Sequence, residues 1–179
     1  NMCVWTNLYR RELIESEKIR FLSEREYLSE DICFNLQYLL SCKIAVMIPE
    51  SLYCYRYNPT SLTSRYKGDE YQKAVALYNK VQSWAKQAKT VEFREFRVER
   101  FFITKVREVM FRLCGSNMSY REKAKVCKKI LRDNTLQDVI YRYPIKRYKL
   151  KYKVPVYLMK WKNVKGTVLL FKNMSRLRG

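Results

Sequence analysis

Two adjacent carboxylates, Glu30 and Asp31, follow Ser29 where Ile32, Leu36, Leu39 and Leu40 begin to recur on one helical face. A carboxylate in a first helical turn lies beside backbone N–H groups without intrahelical partners, so it stays ionised and can take a proton from a hydroxyl. The same placement is an ordinary way of stabilising a helix, and the pair alone leaves both roles open. Other chemistries are poorly served. The chain has no histidine, its six cysteines (Cys3, Cys33, Cys42, Cys54, Cys114, Cys127) include no C-x-x-C pair, and no D-x-D occurs anywhere. The usual zinc patterns therefore cannot be completed, and cysteines scattered through apolar runs read as small core residues in a reducing compartment.

The elements that must hold the carboxylates follow from period and punctuation. Ser29 is suited to cap a helix that runs to about Lys43, and residues 9–18 suit a short surface helix. The β-branched run 44–48, halted by Pro49, and the alternating run 51–57 predict two short strands joined as a hairpin, followed by a loop at 58–61. From Gly68 onward the period is helical. Residues 71–88 and 92–113 predict two long amphipathic helices paired antiparallel; Ser119 with Glu122 fits a capping box for a third, and Asn134 can cap a short fourth before Pro144. With 179 residues, 47% hydrophobic content and only 4 glycines and 4 prolines, the chain suits one domain with an appendage.

Charge is graded along the chain. Residues 1–65 carry 8 basic and 8 acidic side chains, residues 66–140 carry 17 and 9, and residues 141–179 carry 12 and none, for a formal net charge of +20. In the last segment Lys149, Lys151 and Lys153 alternate with Leu150, Tyr152 and Val154, a pattern for an extended segment or for a helix between charged lipids and water. Beyond Pro155, the residues Tyr157, Trp161, Val164, Val168 and Phe171 form one helical stripe bordered by Lys160, Lys165 and Lys172. The stripe either packs on the helical body or lies in a membrane interface, and the absence of any anion favours an anionic membrane surface. It is too interrupted by lysine to span a bilayer, which takes about 20 apolar residues. Nucleic acid is the weaker reading of the charge, because no recognised motif is present and the cations rise toward an apolar tail, and a scaffold that only assembles other enzymes at the membrane is a further alternative, in which Glu30 and Asp31 can be changed without cost. The first residues show no basic stretch leading into an apolar run, so nothing there reads as a secretion signal, and the expectation is a cytoplasmic protein, peripheral on the inner face of the cell membrane.

A longer pattern surrounds the carboxylates. Trp5, Asn7, Leu8, Tyr9, Arg10, Arg11, Glu12, Leu13 and Ile14 are followed by Ile19, Arg20 and Phe21, by Glu30, Asp31, Phe34 and Asn35, by Ser51, Leu52, Tyr53, Tyr55 and Arg56, and by Asn58, Ser61, Leu62 and Thr63. In order and spacing this resembles the acceptor half of family 2 glycosyltransferases of the GT-A fold, whose usual wording is W-N-K-L-Y/F-R-R, E-D, F-N and Y-x-Y-R followed by S-I/L-T. Where relatives have W-N-K this chain has Trp5, Thr6 and Asn7, so one lysine is missing. The helices and basic tail are similar to C-terminal extensions of bacterial members that build capsules, exopolysaccharides or lipopolysaccharide.

The resemblance implies roles. Asp31 would be the general base that deprotonates an acceptor hydroxyl, Glu30, Trp5 and Tyr53 would shape the acceptor site, and Arg56 and Ser61 would meet the donor diphosphate; plain core packing is the alternative for Trp5, Tyr53 and Tyr55. The donor would be a nucleotide-sugar, the acceptor a lipid-linked or polysaccharide chain, and the intact enzyme would use a divalent cation, Mg or Mn, for which 1–179 holds no D-x-D. The expected architecture is mostly α with a short β-hairpin: the C-terminal part of a GT-A α/β glycosyltransferase over 1–65, a helical subdomain over 66–140, and a basic amphipathic membrane-binding tail over 141–179. Lacking a donor-binding half, this stretch alone would be inactive.

Overall fold

A computed structural model of the chain describes residues 3–54, 56, 66–87 and 96–177. These form eight α-helices: α1 (Arg11–Ser16), α2 (Glu30–Ser41), α3 (Glu70–Gln87), α4 (Arg97–Gly115), α5 (Tyr120–Leu131), α6 (Asn134–Arg142), α7 (Leu150–Lys160) and α8 (Val164–Arg176). Short 3-10 turns occupy Val4–Thr6 and Ile145–Arg147.

The core is organised by α4. Phe102, Ile103, Val106, Val109, Met110 and Leu113 recur at three- and four-residue spacing and are fully buried. Burying each such side chain contributes about 1.5–3 kcal/mol, which makes this face the anchor of the bundle. Helix α3 lays Ala74, Leu77, Tyr78 and Val81 along it, and α8 adds Val168 and Phe171. A Cβ on Gly115 would come within 3.1 Å of Ser175 Cβ, so the glycine lets the end of α4 approach α8 closely. Two polar links brace the same helix. The Glu70 carboxylate accepts from Arg112 Nε at 2.9 Å, tying the start of α3 to α4. Lys123, from α5, donates to the carbonyls of Cys114 and Ser116 at 3.0 and 2.6 Å, placing a cation on the C-terminal end of α4, where the helix dipole favours it.

The Ser119–Glu122 capping box forms as expected, with both reciprocal bonds present. Other expectations are corrected. Helix α6 is capped by Asp133, whose Oδ1 accepts from the N–H groups of Thr135 and Leu136, and Asn134 is its first residue. Ser29 is left-handed (φ 67°) and makes no side-chain cap. Among the described residues there is no strand, so the hairpin over 44–48 and 51–57 is not seen; Tyr55 and Tyr57 lie outside the described residues. The physical reason is that alternation only prepares a strand, which also needs a backbone partner and a surface for its apolar face. Ile44 and Val46 are each 82% exposed, with neither.

The tail is also corrected. Val156, Met159, Val168 and Phe171 join the same buried cluster as Leu77 and Phe102, so residues beyond 140 complete the bundle and are not an appendage. The alternation of Lys149, Lys151 and Lys153 belongs to a helix, and α7 continues through Pro155. The single stripe is two. Helix α7 stops at Lys160, Lys162 turns left-handed, and Asn163 starts α8 by accepting the Gly166 N–H at 2.8 Å. Phe171 is 1% exposed and cannot meet a lipid surface, whereas Trp161 is 69% exposed and stacks with Tyr157 at 5.3 Å between ring centres. Lys149, Lys151 and Lys165 are exposed, while Lys153 and Lys160 are half-buried.

Candidate active site

The carboxylates stand where a helix begins under strain. A left-handed Ser29 costs roughly 1–2 kcal/mol, and without a hydroxyl cap the first-turn N–H groups of α2 face Glu30 and Asp31 as the available anions. Both carboxylate residues are half-buried, and among the described residues neither forms an ion pair.

Asp31, Asn35 and Tyr38 recur at spacings of four and three and form one polar face of α2. That face clamps the N-terminal segment. Asp31 Oδ2 accepts the Val4 N–H at 3.5 Å, Asn35 Oδ1 accepts from the Tyr9 hydroxyl at 2.6 Å and from Asn7 Nδ2 at 3.3 Å, and the Tyr38 hydroxyl accepts the Arg10 N–H at 2.8 Å. Asn7 also holds the turn internally, donating to the Cys3 carbonyl at 2.8 Å. The Tyr9 ring meets Phe34 and Tyr38 edge-on, at 5.3 and 5.0 Å. Burial, more than the nearby Asp31 carboxylate, raises the Tyr9 pKa, so its hydroxyl keeps the proton it gives to Asn35.

The clamp sets the 3-10 turn Val4–Thr6 on the start of α2. Trp5, the residue after Val4, approaches Tyr53 with ring centres 6.3 Å apart, and both rings are about half exposed. Trp5, Asp31 and Tyr53 are thus gathered from three separate stretches of chain through Val4. A carboxylate with no ion pair among the described residues can accept a hydroxyl proton, and half-exposed aromatic rings are suited to the C–H side of a sugar. Glu30 adjoins Asp31 in the same turn. Arg56 is exposed, and Ser61 lies outside the described residues. The reading of single residues missed the supporting roles of Asn7, Tyr9, Asn35 and Tyr38, although the i, i+4, i+7 spacing from Asp31 carried the signal.

Two open grooves, of about 600 and 410 Å³, are on the helical bundle, and neither is lined by Trp5, Glu30 or Asp31. Among the described residues no three Cys, Asp or Glu side chains cluster as metal ligands. No helix among them is long and apolar enough to cross a membrane.

The uncharacterized glycosyltransferase EpsJ of Bacillus subtilis (strain 168) is similar to this chain, with 37% identity over 84 residues that cover 42% of the chain and 24% of that protein. The chain therefore spans about a quarter of the length of the curated relative it matches. No protein-family model matches the chain, and no solved structure does.

Proposed function

We propose that this chain is the acceptor-side portion of an inverting glycosyltransferase of the GT-A, family 2 kind, working on a lipid-linked or nascent polysaccharide acceptor. The observation that carries the reading is Asp31: a carboxylate with no ion pair among the described residues, bonded to the N–H of Val4, the residue before Trp5, whose ring meets Tyr53. The partial similarity to a protein named as a glycosyltransferase supports the reaction class.

In this mechanism Asp31 takes the acceptor hydroxyl proton as that oxygen attacks the anomeric carbon of a nucleotide-sugar. The new C–O bond forms as the bond to the diphosphate breaks from the opposite face, and the electron pair leaves with the nucleoside diphosphate. Glu30 shapes the acceptor side. Arg56 and Ser61 are assigned to the donor diphosphate, where a guanidinium offsets the charge of the leaving group. The donor pocket and any divalent cation belong to residues outside 1–179, so the chain by itself transfers no sugar.

For membrane placement, the exposed side of α7 replaces the stripe that ended at Phe171. Leu150 and Val154 of α7 and Trp161 just past its end are exposed, with the exposed Lys149 and Lys151 at its start and the exposed Lys165 on α8. This face suits the anionic, cytoplasmic leaflet, where the acceptor lipid would reside. The deciding experiment is sugar transfer to membrane-derived acceptor by an assembly that includes the donor site, comparing Asp31 with Asp31→Asn. Loss of a general base is expected to lower turnover about a hundredfold or more while nucleotide-sugar binding is retained; unchanged turnover would remove Asp31 from the role.

A further inference from the structure

Three guanidinium groups line one open groove of about 600 Å³ at the start of α4. Arg97 and Arg100 come from the first turn of that helix and Arg147 from the 3-10 turn after α6, while Phe96, Phe101 and Tyr143 supply the walls. Among the described residues no carboxylate lines the groove, and none of the three arginines forms an ion pair. Glu99, between two of them in the chain, is engaged elsewhere, with its Oε1 3.9 Å from Arg142. Two of the guanidiniums also rest on rings: Arg100 lies over Tyr148 at 5.8 Å and Arg147 over Phe96 at 5.5 Å. A cation–π contact with a ring restricts the side chain, so less of its entropy is lost when the guanidinium meets a ligand. Phe96 is left-handed and gives the helix no side-chain cap, so the first-turn N–H groups of α4 add to the positive field.

We propose that this groove binds a phosphoryl group, a phosphate monoester or a diphosphate, carried on an apolar body that rests against Phe96, Phe101 and Tyr143. Planar guanidinium forks match phosphate oxygens two at a time, and three of them with no opposing anion among the described residues leave an excess of positive charge that such a group neutralises. The phosphoryl group can belong to a soluble molecule or to a lipid headgroup. Arg147 lies three residues before Leu150, where the exposed face of α7 begins, so the groove is placed to serve either source. The assignment makes no use of Asp31 and stands independently of the transfer reaction.

The test is titration of the full chain with sodium pyrophosphate, and separately with phosphatidylcholine vesicles with and without phosphatidate, using Arg100→Gln, Arg147→Gln and, as a control outside the groove, Lys128→Gln. One saturable site is expected, weakened about tenfold by each arginine change and unaffected at Lys128. Circular dichroism spectra that match the parent show that Arg100→Gln and Arg147→Gln keep the fold. Arg147→Lys, which retains charge but not the fork, is expected to fall between parent and Arg147→Gln. Loss confined to pyrophosphate identifies a soluble phosphate ligand, and loss of phosphatidate-dependent vesicle binding identifies a headgroup. Absence of saturable binding to both, arginine variants that bind like the parent, or an equal dependence for a single-stranded DNA decamer, which would mark general polyanion binding, overturns the proposal.

Discussion

The Asp31 carboxylate of α2 accepts the backbone N–H of Val4, 27 residues earlier, and this contact seats the Trp5 turn at the start of the helix. The bond is long at 3.5 Å, so the carboxylate retains lone pairs for a hydroxyl. Asn35, 4% exposed, is the stronger tether.

Asn35→Ala removes the short acceptor of the half-buried Tyr9 hydroxyl and leaves it only the Val4 carbonyl at 3.5 Å, a loss expected to cost about 0.5–1.5 kcal/mol. The expected outcome is lower stability in urea together with faster amide exchange at Val4 and Asn7. Asp31→Ala is expected to speed exchange at Val4 while leaving Arg10, which is held by Tyr38, unchanged. Uniform loss of protection in both variants would mean that the clamp is not made of separable contacts.

Trp161 and Phe171 fall on one stripe in sequence but are expected to respond oppositely. Phe171→Ala opens a cavity in the core and is expected to cost about 3–5 kcal/mol. Trp161→Ala is expected to leave the melting temperature nearly unchanged and to weaken sedimentation with anionic vesicles. Replacing Lys149, Lys151 and Lys165 with glutamine is expected to weaken it further, by about 1 kcal/mol for each cation. Vesicle binding indifferent to Trp161 and these lysines would leave α7 as solvated surface.

The contrast shows which features were legible in advance. The Ser119–Glu122 box is local, encoded within four residues, and it formed. The carboxylate pair at a helix start was legible for the same reason, as were the long apolar faces of α3 and α4. The partners of Asp31 and Asn35 were not, because Val4 and Tyr9 reach them through tertiary packing across more than twenty residues. Charge counts show that a tail is basic but not which of its faces is outward. The stripe from Tyr157 to Phe171 was broken by a left-handed Lys162 and an Asn163 cap, a turn whose asparagine was visible in the sequence. The β-branched run 44–48 and the alternating run 51–57 predict two strands because pattern carries no information about whether a partner is present.

Burial pushes the thiols of Cys33 and Cys114 up to about 11 and that of Cys127 up to about 12, from an ordinary value of 9.0. The folded state therefore keeps these protons after the unfolded chain has lost them. Stability from this source is full below pH 9 and falls as pH rises through 11 to 12. Cys127→Ala is expected to make the decline in urea midpoint over that range shallower. Iodoacetamide at pH 8 is expected to label the exposed Cys54 quickly and Cys33, Cys114 and Cys127 only on unfolding. Rapid labelling of Cys127 in the native protein would contradict its place in the core.

The Glu70–Arg112 pair bridges α3 and α4 with the Glu70 side chain only 6% exposed, and its two members are not equivalent. Arg112→Met strands a buried carboxylate and is expected to cost about 3–5 kcal/mol, because the solvation that Glu70 gave up is no longer offset. Glu70→Gln in the same background removes that charge while its amide can still meet the Lys67 N–H, which Glu70 Oε1 accepts at 3.1 Å. The double variant is therefore expected to regain much of the loss, measured as urea midpoints at equal slope. If the double variant is instead as unstable as the sum of the single changes, the two side chains are not coupled and the bridge does not join the start of α3 to the core helix.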